Sequence, residues 1–174
     1  MSLSPSQRLA SIDDLLLYRL GRLSSTAGAL VVRLCEGGYG ITRREWAVVA
    51  QLYENGSLPP SVLAERMHRD RARTSRILTA LVKKQLVLRT VTPGDRRGAR
   101  VELTPAGRQL YDDLMPSIQA INGQILSALQ ADEVVQFDDV LARLQARAQS
   151  LVVELSPHWP RANRRRGPLS RSPG

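Results

Sequence analysis

The chain has 174 residues, of which 43% are apolar and only 4% aromatic, and its formal net charge is +9. Leucine, valine and alanine must therefore fill the core, which favours helices. No apolar run reaches the roughly 18 residues of a membrane span, the N-terminus lacks a signal-peptide pattern, and a single cysteine excludes intrachain disulfides and Cys-based zinc sites. The composition predicts a soluble, cytoplasmic protein with a polyanionic partner and without metal or cofactor.

The positive charge is concentrated in the centre of the chain. Residues 60–104 contain eleven Lys/Arg against four Asp/Glu, or +7 of the total, whereas residues 105–155 contain three Arg against seven acids. Clustered cations of this kind are typical of a surface that neutralises nucleic-acid phosphates.

Two helices are predicted at the beginning of the chain. Apolar residues recur at helical spacing over 9–34, and the glycines of 36–40 are expected to end this long first helix. Thr42, followed three residues later by Glu45, is a capping box that begins a second helix over 43–53. The buried residues of this second helix are expected to be Trp46, Val49, Ala50 and Leu52.

A helix–turn–helix is predicted next, after an extended link at 59–60. Leu63 and Ala64 lie on the apolar face of its first helix. Asp70 stands at the N-cap of its second helix, which is expected to end near Gln85. The buried face of this second helix is expected to consist of Ile77, Leu78, Leu81 and Val82.

Two strand-like runs, 86–88 and 101–103, flank a turn at 93–98 that contains Pro and Gly. A helix–turn–helix followed by a basic hairpin predicts a winged helix whose second helix enters the major groove of DNA. Arginines and hydroxyls, which donate to bases and phosphates, crowd the beginning of that helix. These predicted DNA contacts are Arg71, Arg73, Thr74, Ser75 and Arg76. The alternative is a solvated basic helix pair with an ordinary hairpin.

Two further helices and a basic tail complete the chain. Thr104 and Pro105 are the expected N-cap and first residue of a helix that Pro116 should kink. Asp132 is expected to cap the last helix. The apolar stripes of the first and last helices exceed what a winged helix can cover, which predicts an intertwined homodimer.

The expected architecture is therefore mainly α, with a winged helix-turn-helix between dimerisation helices. The predicted segments are an N-terminal dimerisation helix (1–40), the winged helix-turn-helix DNA-binding domain (41–104), C-terminal dimerisation helices (105–155) and a disordered arginine-rich tail (156–174).

Several motifs resemble the MarR family of bacterial transcriptional regulators. ITRREWAVV (41–49) is similar to the family's second helix, with Glu45 where Gln is usual. TSRIL (74–78) resembles its helix–turn–helix, and DRRGARVELTPAG (95–107) resembles its wing and the start of the next helix. The resemblance extends over about residues 9–153 and implies a homodimer on double-stranded DNA with a pseudo-palindromic operator, usually as a repressor.

The resemblance also implies roles for the wing. Asp95 is expected to orient Arg97 into the minor groove, whose negative potential attracts a guanidinium. Arg96 and Arg100 are expected to contact the DNA backbone or to form local salt bridges. The role of Arg76 is left open, because it could either contact DNA or form an ion pair with Asp95 or another acid.

The run 33–46 is similar to the branch of that family that represses nicotinic acid catabolism. This implies a small aromatic carboxylate effector, 6-hydroxynicotinate, between the dimer helices and the DNA-binding lobe. Tyr39, Arg43, Trp46 and His68 are the candidate ligand-binding residues, because an aromatic carboxylate needs a cation or donor and an apolar wall. The alternatives are that Trp46 is a core residue and that His68 is a surface residue.

The sequence also bears on three other functions. Cys35 invites a redox-sensor interpretation, but it stands at the far end of the first helix, and a structural thiol is favoured. No catalytic constellation is present, so an enzyme is not expected. A sequence-tolerant architectural DNA binder is the main rival, and its affinity would fall with salt equally on every sequence.

Overall fold

The computed structural model describes residue 4 and residues 10–67, 70–90 and 98–159. Short turns of 3₁₀ and π helix occur at Ile12–Asp14, Leu34–Gly38 and Ser156–His158. The predicted mainly α fold with a small antiparallel wing is confirmed. The α-helices and strands are α1 (Leu16–Arg33), α2 (Arg43–Asn55), α3 (Pro60–Arg66), α4 (Arg71–Lys83), β1 (Val87–Thr90), β2 (Arg100–Leu103), α5 (Pro105–Leu126) and α6 (Ala131–Leu155).

The first helix begins later than expected and ends within the expected segment 36–40. α1 begins at Leu16, because residues 12–14 form a separate turn, and residue 9 lies outside the described residues. The glycines at 37 and 38 do not stop the helix, which continues as a π turn. The chain leaves it at Gly40, whose φ of +63° is easy for glycine, and the Ile41 N–H then donates to the Cys35 carbonyl.

The capping box of α2 is confirmed. Thr42 Oγ1 accepts from the Glu45 N–H at 3.1 Å, and Glu45 Oε2 accepts from the Thr42 N–H at 2.6 Å. Trp46, Val49 and Leu52 are buried as predicted, whereas Ala50 is only partly buried.

The expected extended link at 59–60 was wrong in part. Pro59 is extended, but Pro60 is the first residue of α3. Proline fits there because the first N–H groups of a helix have no acceptor within it. Leu63 and Ala64 of this helix are buried, as expected.

α4 is capped by Asp70 and ends at Lys83, near Gln85, as predicted. Leu78 and Leu81 are buried, whereas Val82 is 40% exposed, so its predicted place on the buried face was wrong. Thr74 occupies that face instead, because positions four and seven residues apart lie on the same side of a helix.

The wing is an antiparallel pair with Val87 opposite Leu103 and Thr90 opposite Arg100. Leu58 forms a bridge to Val101, which attaches the segment before α3 to the hairpin. Most of the predicted turn at 93–98 lies outside the described residues. α4 packs against α2 and against β1, and these contacts fix its orientation.

Thr104 joins the wing to α5. Its Oγ1 accepts from the Gly107 N–H at 3.0 Å and donates to the Gln85 carbonyl at 2.8 Å, so it caps the helix as predicted. Leu114 of α5 is fully buried, and Pro116 lies inside the helix. The predicted kink at Pro116 stays a prediction.

The chain divides into two compact units, Met1–Ile125 and Leu126–Gly174. In the second unit α6 begins after Gln130 rather than Asp132, so the predicted cap was wrong. Glu133 Oε2 accepts from the Gln130 N–H at 2.8 Å, and Asp132 instead places its charge in the first turn, where the helix dipole favours it. None of the described helices is long and apolar enough to span a membrane.

Candidate nucleic-acid interface

Asp70 organises the beginning of α4. Its Oδ1 accepts from the Arg73 N–H at 2.8 Å, and its Oδ2 lies 3.1 Å from Arg73 Nε. The carboxylate therefore caps the helix and at the same time holds the Arg73 guanidinium by a charge-assisted contact. Arg73 is kept at the exposed beginning of the helix, where a base edge would be met.

The other predicted helix contacts divide into two groups. Arg71, Ser75 and Arg76 are exposed. Thr74 is only 1% exposed, and its hydroxyl donates to the Asp70 carbonyl at 3.1 Å. Thr74 faces the core and has no free donor, so the structure argues against the expectation that it reads DNA.

The described part of the wing adds two exposed arginines. Arg100 Nε donates to Ser57 Oγ at 3.0 Å, and its guanidinium also donates to the Ser57 carbonyl. These are hydrogen bonds to a neutral serine and not the expected local salt bridge, and a contact of Arg100 with the DNA backbone stays a prediction. Arg89 lies exposed on β1, and the sequence interpretation missed it although it belongs to the basic segment. Asp95, Arg96 and Arg97 lie outside the described residues.

The structure describes three of the four candidate effector residues, and their neighbours differ. Trp46 is 7% exposed and stacks on Tyr111, with ring centroids 5.4 Å apart, so it is a core residue. Tyr39 donates its hydroxyl to the Asp113 carbonyl at 3.2 Å. His68 lies outside the described residues.

Arg43, at the beginning of α2, contacts α1. Its guanidinium packs against Gly28, where a Cβ would be 3.1 Å from Arg43 Cζ. It also lines an open groove of about 820 Å³ between the end of α1, the beginning of α2 and α4. The charged residues that line this groove are Glu36, Arg43, Arg44, Glu45 and Arg76. Cations beside an apolar wall of Val32 and Ile77 suit a small aromatic anion.

Glu45 has a second contact that its sequence position did not reveal. Its carboxylate accepts from Lys84 Nζ at 2.8 Å, although the residue is only 4% exposed. Burial by itself would raise the pKa of Glu45, but the hydrogen bonds from Lys84 and Thr42 and the Lys84 charge hold this pKa below its ordinary value. The two residues are 39 positions apart, so no local motif links them.

Cys35 is fully buried. Burial raises the pKa of its thiol, and the nearby Glu36 charge raises it further. Both effects disfavour the reactive thiolate. This supports a structural thiol over a redox sensor. Within the described ranges, no group of three His, Cys, Asp or Glu residues is arranged to hold a metal ion.

Comparisons with known proteins agree with this geometry. Residues 41–98 match the MarR family model. The HTH-type transcriptional repressor MdtR of Bacillus subtilis is 31% identical over 111 residues, which cover 64% of this chain and 72% of MdtR.

Solved structures share the fold. A probable transcriptional regulator from Pseudomonas aeruginosa is 29% identical with a TM-score of 0.68, covering 77% of this chain and 99% of its own. The Bordetella bronchiseptica BpsR structure, which concerns regulation of DNA binding by 6-hydroxynicotinic acid, is 21% identical with a TM-score of 0.68 and covers 78% and 96%.

The wing and the exposed basic beginning of α4 define a winged helix-turn-helix DNA-binding protein. The chain belongs to the MarR family of transcriptional regulators. Its relatives are transcriptional regulators and not enzymes.

Proposed function

We propose that this protein is a homodimeric, sequence-specific repressor that a small aromatic carboxylate releases from a pseudo-palindromic operator. The observation that carries the proposal is the exposed edge of α4. Arg71, Arg73 and Arg76 face outward from a helix whose other side is anchored by Leu78 and Leu81. Arginine forks pair with guanine O6 and N7, so exposed arginines on a helix that is packed against the core can read a base sequence.

The dimer is supported by apolar side chains that lie exposed in the described part of a single chain. α6 contains no buried residue. Phe137, Leu141 and Leu144 are 38–40% exposed along it, and Leu23 and Leu30 of α1 are 50–53% exposed. A second copy would cover these faces, in keeping with the proposed dimerisation segments 1–40 and 105–155, and would place two recognition helices about 34 Å apart.

The wing is proposed to add minor-groove and backbone contacts. Arg97, oriented by Asp95, would enter the minor groove, while Arg96 and Arg100 would lie near the backbone. The tail over 156–174 would add non-specific attraction to phosphates or keep the protein in solution.

The effector rests on the resemblance of run 33–46 to nicotinate-responsive repressors. BpsR is 21% identical and therefore supports the shared fold alone. Of the four candidate residues, Arg43 lines the α1–α2–α4 groove, where Arg76 also lies. A carboxylate bound there would bias the position of α4 and thereby the spacing of the two recognition helices.

The test begins with selecting, from a random-sequence pool, the duplex that the protein binds most tightly. Affinity for this selected duplex and for a scrambled duplex is then measured at physiological salt, with and without 6-hydroxynicotinate. We expect selective binding that the compound weakens. Selective binding that ignores the compound would contradict the effector only, and equal binding to both duplexes would indicate an architectural protein. Repression is tested by a reporter gene placed behind the selected duplex.

A further inference from the structure

Lys84 connects the end of the recognition helix α4 to the beginning of α2. It is the C-cap residue of α4, and its backbone N–H donates to the Ala80 carbonyl. Its side chain reaches the other helix, where Nζ donates to Glu45 Oε2 at 2.8 Å and to the Gly40 carbonyl at 2.9 Å. One ammonium group therefore joins three parts of the fold.

Glu45 is held in place from both sides of this connection. The same Oε2 atom that receives the Lys84 ammonium also accepts from the Thr42 N–H at 2.6 Å. Lys84 is the ion-pair partner of Glu45 in the described part of the chain, and the arginines that line the neighbouring groove do not pair with it there. Displacing Lys84 would leave a buried carboxylate without its cation, which is strongly unfavourable.

The residues after Lys84 are fixed as well. Gln85 has a φ of +59°, which is uncommon for a residue with a side chain, and its carbonyl accepts from Thr104 Oγ1 at 2.8 Å. The Leu86 carbonyl accepts from the Thr104 N–H at 3.1 Å. The C-terminal end of α4 is therefore held by α2 through Lys84 and by the start of α5 through Thr104.

We infer that the Lys84–Glu45 ion pair is a positioning device that sets the angle of α4 for base readout. α4 has 13 residues and is about 20 Å long, so a small tilt at its C-terminal end displaces the arginines at its beginning. Hydrogen bonds to base edges depend steeply on distance and angle. Contacts to phosphates tolerate such a shift, because they depend mainly on charge. Loss of the pair should therefore lower specificity more than overall DNA affinity.

This inference rests on the proposed sequence-specific function, and its test compares two neighbouring lysines. Lys84→Met removes the tether, whereas Lys83→Met removes the same charge from an exposed residue that has no ion pair among the described residues. We expect Lys84→Met to weaken binding to the selected duplex about tenfold, comparable with losing one base-pair contact. Binding to the scrambled duplex should change no more than in Lys83→Met.

The double variant Glu45→Gln/Lys84→Met separates positioning from stability. It removes both charges, so no unpaired carboxylate remains and its thermal unfolding should approach that of the wild type. We expect it still to bind the selected duplex about tenfold more weakly. Full recovery of selective binding in the double variant, or equal losses in Lys84→Met and Lys83→Met, would overturn the inference. If the wild type selected no sequence at all, the proposed function itself would fail, which is a distinct result.

Discussion

Asp70 shows how one side chain can serve both folding and recognition. It accepts from the Arg73 N–H and also holds the Arg73 guanidinium. We expect Asp70→Ala to lower the free energy of unfolding by about 1 kcal/mol, because the first turn of α4 loses its cap. Urea unfolding measures this change. Asp70→Asn keeps a capping oxygen and is the control, and equal destabilisation by both variants would contradict the role assigned to the cap.

Gly107 marks a close approach between the beginning of α5 and the segment that follows α4. A Cβ at this position would be 3.1 Å from the Leu86 carbonyl carbon and 3.2 Å from Leu103 Cδ2. We expect Gly107→Ala to cost about 1–3 kcal/mol, because the Leu86 carbonyl is fixed by Thr104 and cannot move away freely. Gly123→Ala, in the same helix with no atom within 4 Å, is the control and should not destabilise the chain. Equal tolerance of the two substitutions in urea unfolding would contradict this packing.

Local signals in the sequence predicted the caps at Thr42, Asp70 and Thr104, although not the cap of α6, and they did not predict long-range partners. Asp70 and the Thr42–Glu45 box lie within one turn of the groups that they cap, so a short motif reveals them. Lys84 meets Glu45 only because α2 and α4 pack together. Thr74 was misjudged because its hydroxyl suggested a DNA contact, whereas its spacing from Leu78 places it in the core.

At the scale of elements, α2 contributes the carboxylate of Glu45, whose charge should stabilise the fold in a pH-dependent manner. The folded-state pKa of Glu45 is lowered, and an unfolded glutamate titrates near about 4.3. The stabilisation is therefore present above about pH 4.3 and is lost as the pH falls through the folded-state pKa.

We expect the difference in unfolding free energy between the wild type and Glu45→Gln to shrink as the pH is lowered from 7 to 3. The comparison with Glu45→Gln cancels the other carboxylates, because they are the same in both chains. Urea unfolding at each pH measures the difference. A difference that does not change with pH would contradict a charged, ion-paired Glu45.

Element boundaries were harder to predict than the elements themselves. Pro60 could equally end a link or begin a helix, and the structure uses it to begin α3. α4 ends before Gln85 because the chain turns there through a positive φ, which nothing in a glutamine predicts. The wing strands were predicted within two residues, since their β-rich sequence flanks an evident turn.

At the scale of the whole molecule, the exposed apolar face of α6 should hold two copies together. Leu144 is 40% exposed in one chain, so a charge there would be tolerated by an isolated subunit. We expect Leu144→Glu to convert a dimer into a monomer in sedimentation at micromolar concentration, because the charge would be buried between subunits. Gln145→Glu adds the same charge at the adjacent polar residue and should leave the dimer intact. A wild-type monomer under these conditions would contradict the proposed assembly.

The winged helix could be predicted from sequence, because its charge, caps and hairpin are local patterns. The neighbours of the candidate effector residues could not, because they depend on how α2 packs against α1 and α5. Trp46 turns toward Tyr111, whereas Arg43 turns toward Gly28 and the groove. The sequence did not indicate that Arg44 and Arg76 line one groove, because this depends on how α2 and α4 pack.

The central claim is that the exposed beginning of α4 reads a DNA sequence, and Arg73→Ala tests it most directly. The affinities of the wild type and of the Arg73→Ala variant are measured on the selected duplex and on a scrambled duplex at several salt concentrations. The account predicts a loss of about 1–3 kcal/mol on the selected duplex with little change on the scrambled one. Equal losses on both duplexes would show that Arg73 contacts phosphates only, and would contradict base readout by this residue.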